Sequence, residues 1–407
     1  MKVGISYCNE ADGFLSGKTI AENAIKDGKI EKPGLVIAFC GGDMDHNEYF
    51  NGLKSIVGED VPIVGGSAVG VITNKNLSYS DSPAGAAIIE DGDLHISLGA
   101  AGDLDKNEKI AGQKLGEKLS QSPEGKLLLL FYDSIKKAPT DTSPPLINAS
   151  PPLIEGIEEK LYPNVPIIGG GTFGDFGFND TWQFCGSYVA RQSVVGMLLN
   201  GGFKHYYRIM HGCIPKDGIY QRVTKAEGAE IYELDGRPIV EVIDEQYGND
   251  EWQKQQPVNR LTLAINHRNK FDDFLETNLV NRLISGALPD KKGILLFEPD
   301  IEEGDEVLFM LRNGSMMIDS VKKNTRALFD EIISNGEKPV FSLYIDCAGR
   351  TSALSETLLE EAAEVQKICN QYNVPLLGFY SGVEIAPVQG KSRGLDWTGV
   401  LLTFAEI

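Results

Sequence analysis

Apolar residues in this chain gather into short, dense runs. GLVIAF (34–39), KLLLLFY (126–132) and VFSLYIDCAG (340–349) are near-continuous apolar stretches of strand length, the pattern of strands covered on both faces. Each is followed by helical spacing. DHNEYFNGLKSIVG has Asp45 in capping position, LIEGIEEKLY comes after a proline-rich loop, and SETLLEEAAEVQKICNQYN opens on Ser355. Each helix then leads into nearly the same phrase: VPIVGGSAVG (61–70), VPIIGGGTFG (165–174) and VPLLGFYSGV (374–383). The predicted unit is strand, helix, strand and glycine turn, present three times.

The first two units share more than the corner. ISYCNEADGFLSGKTIAENAI (5–25) aligns with ISLGAAGDLDKNEKIAGQKLG (96–116), which sets Gly17 over Gly112, and the longer loop KKAPTDTSPPLINASPP absorbs the extra length of the second copy. Short strands follow each corner, AGAAIIED and LHISLG, then CGSYVARQ and VVGMLLNGG. The pattern predicts an α/β fold of mixed sheets, built from duplicated strand-helix-strand units and divided into two domains, 1–205 and 206–407. Further on, EGAEIYELDGRPIVEVI predicts a hairpin turning at Asp235 and Gly236, and a helix is expected over 315–335.

Charge narrows the partners. With 58 acidic against 38 basic side chains the formal net charge is -20 over 407 residues, which disfavours nucleic acid and anionic lipid. The N-terminus carries no signal-peptide run and no apolar stretch reaches membrane-span length, so a cytoplasmic protein is expected. Six scattered cysteines without a C-x-x-C pair suit free thiols, and five scattered histidines give no metal-ligand spacing. No cofactor is expected either. Gly169, Gly171 and Gly174 match a G-x-G-x-x-G spacing, but a turn and a strand follow where a dinucleotide site needs a helix. GFLSGKT fails as a phosphate loop because Asp12 stands where its first glycine belongs, leaving Ser16 or Thr19 to support a helix start. Asp43, Asp45 and His46 lie close in sequence, with helix capping by an aspartate the favoured reading.

The two-copy N-terminal half with its GGSAVG corner, the segment VTKAEGAEIYELDGRPIVEV, the Cys-Ala-Gly-Arg strand end at 347–350 and the closing GFYSGVEIAP together resemble the FIST family of sensory proteins. The resemblance spans nearly the whole chain, with 1–205 FIST N-like and 206–407 FIST C-like. It implies a ligand-sensing input module for signal transduction, with small molecules such as amino acids as ligands. Two departures stand out. Gly382, Val383 and Glu384 replace the family's aromatic-glycine-glutamate order, and Asp396 replaces an Asn before Trp397 and Thr398. No output domain follows TGVLLTFAEI, so a separate signalling partner protein is expected.

Candidate ligand-binding residues fall in three groups. Gly65, Gly66 and Ser67 could form a concavity of backbone amides with one hydroxyl, or simply a tight turn. Cys347, Gly349 and Arg350 end a strand, where Arg350 could fork a carboxylate or make an ordinary ion pair, and Cys347 could be reactive or a buried inert thiol. Phe379, Tyr380, Ser381 and Glu384 could wall and pair an ammonium group, or pack as plain strand. The three turns are expected to converge on one hollow that closes between the two halves. The competing expectations are an enzyme using Cys347 or Glu384, and a scaffold without a pocket.

Overall fold

Three six-stranded sheets with one shared strand order make up most of the fold; the computed structural model describes residues 1–90, 92–140, 145–355 and 357–406. The first sheet runs Lys2–Asn9, Pro83–Glu90, Leu35–Cys40, Ile63–Ser67, Gln183–Cys185, Tyr188–Ala190. The second runs His95–Ala101, Val194–Asn200, Leu127–Asp133, Ile167–Thr172, Val383–Val388, Lys391–Leu395. The third runs Lys204–Met210, Gly399–Glu406, Lys338–Cys347, Leu376–Ser381, Val71–Thr73, Leu77–Ser78. In each sheet only the third and fourth strands are parallel, joined by a helical crossover. The mixed α/β character expected from the apolar runs is therefore present.

The chain builds one unit three times, over about 1–90, 95–200 and 204–406. The last two strands of every sheet come from another unit: the hairpin after the first corner enters the third sheet, that after the second enters the first, and that after the third enters the second. This cyclic exchange ties the units together by ladder hydrogen bonds. Two of the three hairpins cross the junction at 205–206. The third unit is complete, and not merely a third corner. Its first strand is separated from its helix by residues 214–311, which form a further sheet in the order Leu279–Arg282, Leu261–Asn266, Glu306–Leu311, Ile214–Glu227, Glu230–Leu234, Ile294–Leu296, Ile284–Ala287.

Alternation along the apolar runs explains why both faces are buried. Leu35, Ile37 and Phe39, Leu127, Leu129 and Phe131, and Phe341, Leu343 and Ile345 point into one core shared by all three sheets. The intervening residues face helices. Val36 and Ala38 meet α1 (Gly13–Gly28) and α2 (His46–Val57), while Leu128 and Leu130 meet α3 (Glu108–Leu119) and α4 (Ser150–Glu158). At the centre the rings of Phe39, Phe131 and Phe379 touch, with centroids 4.0 to 5.7 Å apart. The Gly17 over Gly112 alignment is structural: a Cβ at Gly17 would lie 2.2 Å from the Tyr49 carbonyl, and one at Gly112 2.2 Å from that of Leu153. Both helix pairs cross backbone to backbone at these glycines.

Three local expectations are corrected. Asp12 itself caps α1, accepting from the Leu15 N–H at 2.9 Å, while Ser16 lies buried within the helix. IVEVI is not a strand. Asp235 and Gly236 do turn at positive φ, but only Arg237–Pro238 pairs back before α5 (Ile239–Tyr247), because Ile239, Val240, Val242 and Ile243 bury one helical face. After α6 (Gly314–Ser334) and the short α7 (Ser352–Ser355), α8 spans Glu361–Gln371 and opens on Glu360, not Ser355, whose hydroxyl donates to the Thr351 carbonyl.

Candidate functional site

The three corners meet at the C-terminal ends of the parallel strands, the side where α/β sheets present chemistry. Ala68 bridges Phe173, the Tyr380 N–H donates to the Gly70 carbonyl at 3.2 Å, and the Gly382 N–H to that of Gly171 at 2.9 Å. Around this contact the three units place three different polar groups.

In the first unit Ser67 is fully buried and lies 2.8 Å from His46 Nε2. Burial pushes the His46 imidazole down to about 4, so it is neutral near pH 7. Nε2 and the Ser67 hydroxyl share a hydrogen bond, and the Ser67 oxygen accepts the Trp182 N–H at 2.8 Å. Gly65 and Gly66 pair with Phe184 and Gln183, and a Cβ on Gly66 would lie 2.3 Å from the Trp182 carbonyl. These glycines admit the exchanged strand. In the second unit Asp133 accepts from the Ile135 and Gln192 N–H groups at 3.0 Å and from the Thr181 hydroxyl. Burial outweighs these donors and raises its carboxyl to about 6.

The third unit concentrates charge. Arg350, fully buried, lies 2.6 Å from Glu361 and 3.2 Å from Asp346 and donates to the carbonyls of Trp397 and His211. Ser381 donates toward Glu384 at 2.7 Å, and the Thr398 N–H reaches the other carboxylate oxygen at 3.2 Å. Burial, reinforced by Glu361, raises the Asp346 carboxyl well above the usual range, and burial does the same for Glu384. Burial also pushes the Cys347 thiol up, which disfavours a nucleophilic thiolate. Gly349 packs on the Trp397 indole so closely that a Cβ would sit 2.4 Å from the ring.

The inserted sheet closes this junction. Arg282 is fully buried, ion-pairs with Asp300 and lies 3.7 Å from Asp396, which accepts the Leu283 N–H at 2.9 Å. Glu298 accepts the Ser150 N–H at 3.1 Å, and burial with Asp396 nearby raises its carboxyl to about 8. Burial raises Asp396 to about 6.

Of the residues singled out from sequence, Cys347, Gly349, Arg350, Ser381 and Glu384 come together here. Gly65, Gly66 and Ser67 sit at the first junction. Phe379 belongs to the central ring cluster, and Tyr380, on the opposite strand face, donates its hydroxyl to Glu360 and packs edge-on against Tyr79. Sequence reading missed Arg282, Glu298 and Arg312, which the inserted sheet delivers, and His46 as the partner of Ser67. No local spacing signals them. The surface hollow of about 130 Å³ beside Tyr220 and Lys270 lies on the inserted sheet, away from this chemistry.

Residues 34–237 match the FIST N domain and residues 240–387 the FIST C domain. An uncharacterized protein of Methanocaldococcus jannaschii is 24% identical over 368 residues, covering 87% of this chain and 66% of that protein. An uncharacterized protein of Mycobacterium tuberculosis is 27% identical over 261 residues, covering 62% of this chain and 64% of that protein. The matches thus span just under two thirds of those relatives' lengths. Among solved structures, a cyanuric acid hydrolase from A. caulinodans aligns over 100% of this chain and 99% of its own at 10% identity, with a TM-score of 0.34, too low to carry an argument. Among the described residues no helix is long and apolar enough to cross a membrane.

Proposed function

The chain belongs to the FIST family of sensory, small-ligand-binding domains, and from that premise we propose that it is a signal-transduction input protein whose ligand, an amino acid, binds where the second unit, the third unit and the inserted sheet meet. One observation carries this reading. The side chains of Tyr132, Ser134, Ser150 and Asn281, together with Asp346 Oδ2 and Asp396 Oδ1, are buried polar groups that make no well-formed hydrogen bond among the described residues, although Tyr132 lies beside Ser150 and Asp396 Oδ1 is 3.7 Å from Arg282. Native interiors leave few such groups, and each costs about 1–3 kcal/mol. A small molecule rich in donors and acceptors would offset that cost.

In this reading Ser381, Glu384 and Asp346 receive the ammonium group, Cys347, Gly349 and Arg350 form the adjoining wall, and Gly65, Gly66, Ser67, Phe379 and Tyr380 frame the junction. Residues 1–205 and 206–407 serve as the FIST N-like and FIST C-like parts. Because the exchanged hairpins would have to break for those halves to hinge apart, we assign the ligand-driven motion to residues 214–311, which join the third unit through two short connections. The signal then passes, in the cytoplasm, to a separate partner protein that reads the position of the inserted sheet.

The test is calorimetric titration of the purified chain against the twenty amino acids, paired with thermal unfolding. Binding of at least one, with a matching rise in midpoint, is expected. Silence from all twenty removes amino acids as the ligand class.

A further inference from the structure

Arg312 stands apart from the other arginines of the junction. Arg282 and Arg350 each face carboxylates within 4 Å, whereas Arg312, only 5% exposed, has none among the described residues. Its guanidinium donates to two carbonyls at long range, Asn259 at 3.2 Å and Gly349 at 3.3 Å, and its Nε has no partner. Its Cζ lies over the Trp397 ring, 3.7 Å from the centroid. Two further donors at the same loop are also unpartnered: the indole N–H of the covered ring and Nη2 of Arg350, whose Nη1 holds the Trp397 carbonyl.

A buried cation without a counter-charge is strongly disfavoured unless something anionic completes it. Contact with an indole offsets part of that penalty, but it leaves the Nε–H, one of the in-plane donors that grip a carboxylate, without an acceptor. Position adds a consequence. Arg312 lies between the last strand of the inserted sheet, Glu306–Leu311, and α6, so it sits on one connection of that sheet. Arg350 donates to the His211 carbonyl on the other connection.

We propose that Arg312, Arg350 and Trp397 form an anion subsite that holds the single carboxylate of a small ligand across both connections of the inserted sheet. This rests on the sensory reading above and assigns the ligand's acidic end to a residue that reading leaves out. A phosphate is disfavoured, because Glu361 already pairs with Arg350 at 2.6 Å and would repel a second negative charge. Burial together with the Arg350 charge lowers the Arg312 pKa only to about 10, so the guanidinium stays charged and able to bind near neutral pH.

Acetate and its neutral isostere acetamide test this directly in thermal unfolding of the full chain at constant ionic strength, with L-alanine and inorganic phosphate as further arms. Acetate is expected to raise the midpoint and acetamide to leave it unchanged. Arg312→Met should weaken the acetate effect roughly tenfold or more, with Arg312→Lys retaining part of it. Equal effects of acetate and acetamide, no acetate effect on the wild type, or an undiminished effect in a folded Arg312→Met protein would each overturn the subsite. A response to phosphate alone overturns the carboxylate assignment. If Arg312→Met does not fold, Trp397→Phe, which keeps the cation and removes the indole N–H, must still weaken acetate. Acetate binding without any amino acid binding would leave the subsite standing and remove the amino-acid reading.

Discussion

Ser67 in the first unit and Tyr380 in the third occupy equivalent places in their corners, opposite Cys40 and Asp346 on the neighbouring parallel strand. The first junction is neutral and closed. Ser67, His46 and the Trp182 N–H satisfy one another, and a cysteine fills the facing position. The third places a carboxylate there, adds Arg350, Glu361 and Glu384, and leaves several buried donors and acceptors unpaired. One scaffold thus carries a junction spent on folding and another that retains unsatisfied chemistry. The difference teaches that strand order alone does not make a site; the side chains exchanged between units do.

Removing one partner from each junction breaks this comparison most directly. Arg350→Met leaves Asp346 and Glu361 buried without their cation and should lower stability by about 3–5 kcal/mol in urea unfolding. A loss below about 1 kcal/mol would mean that the third junction is not held by charge. Ser67→Ala deprives the Trp182 N–H of its acceptor and should cost about 1–3 kcal/mol in the same assay. A loss well below that would show that the first junction is not held by this hydrogen bond.

The remaining effect is one of pH. Glu298 keeps its proton up to about 8 in the folded protein but would release it near the ordinary glutamate value when unfolded. Its contribution is therefore complete below about 4.5 and lost as pH rises through about 8. The wild-type melting midpoint should decline across that window, and Glu298→Gln, neutral throughout, should flatten the decline. Parallel slopes for the two proteins would place the titration elsewhere.

The three glycine corners, the apolar strands before them and the Gly17 over Gly112 alignment were legible because each is local. A strand buried on both faces must be apolar throughout, and a helix crossing at van der Waals distance needs glycine. The third unit was only partly legible, since residues 214–311 separate its first strand from α6 and break the repeat. Cys347 and Arg350 stood out because they end an apolar strand, where α/β sheets place ligands, and Glu384 because it follows the third glycine corner. Arg312 and Glu298 did not, because nothing in GDEVLFMLRNG or LLFEPD distinguishes a buried charge from a solvated one at a strand end.

Sequence by itself determined the acidic composition, the repeating strand-helix-strand unit and its glycine turns, the last two following from periodicity and backbone sterics over a few residues. Tertiary structure alone decided that the hairpins exchange cyclically, that His46 meets Ser67, and that Arg312 lies over Trp397 with no carboxylate within 4 Å among the described residues. Those outcomes depend on burial and on contacts between residues far apart in the chain, and the dielectric surroundings that make an unpaired charge consequential exist only once the units have closed on one another.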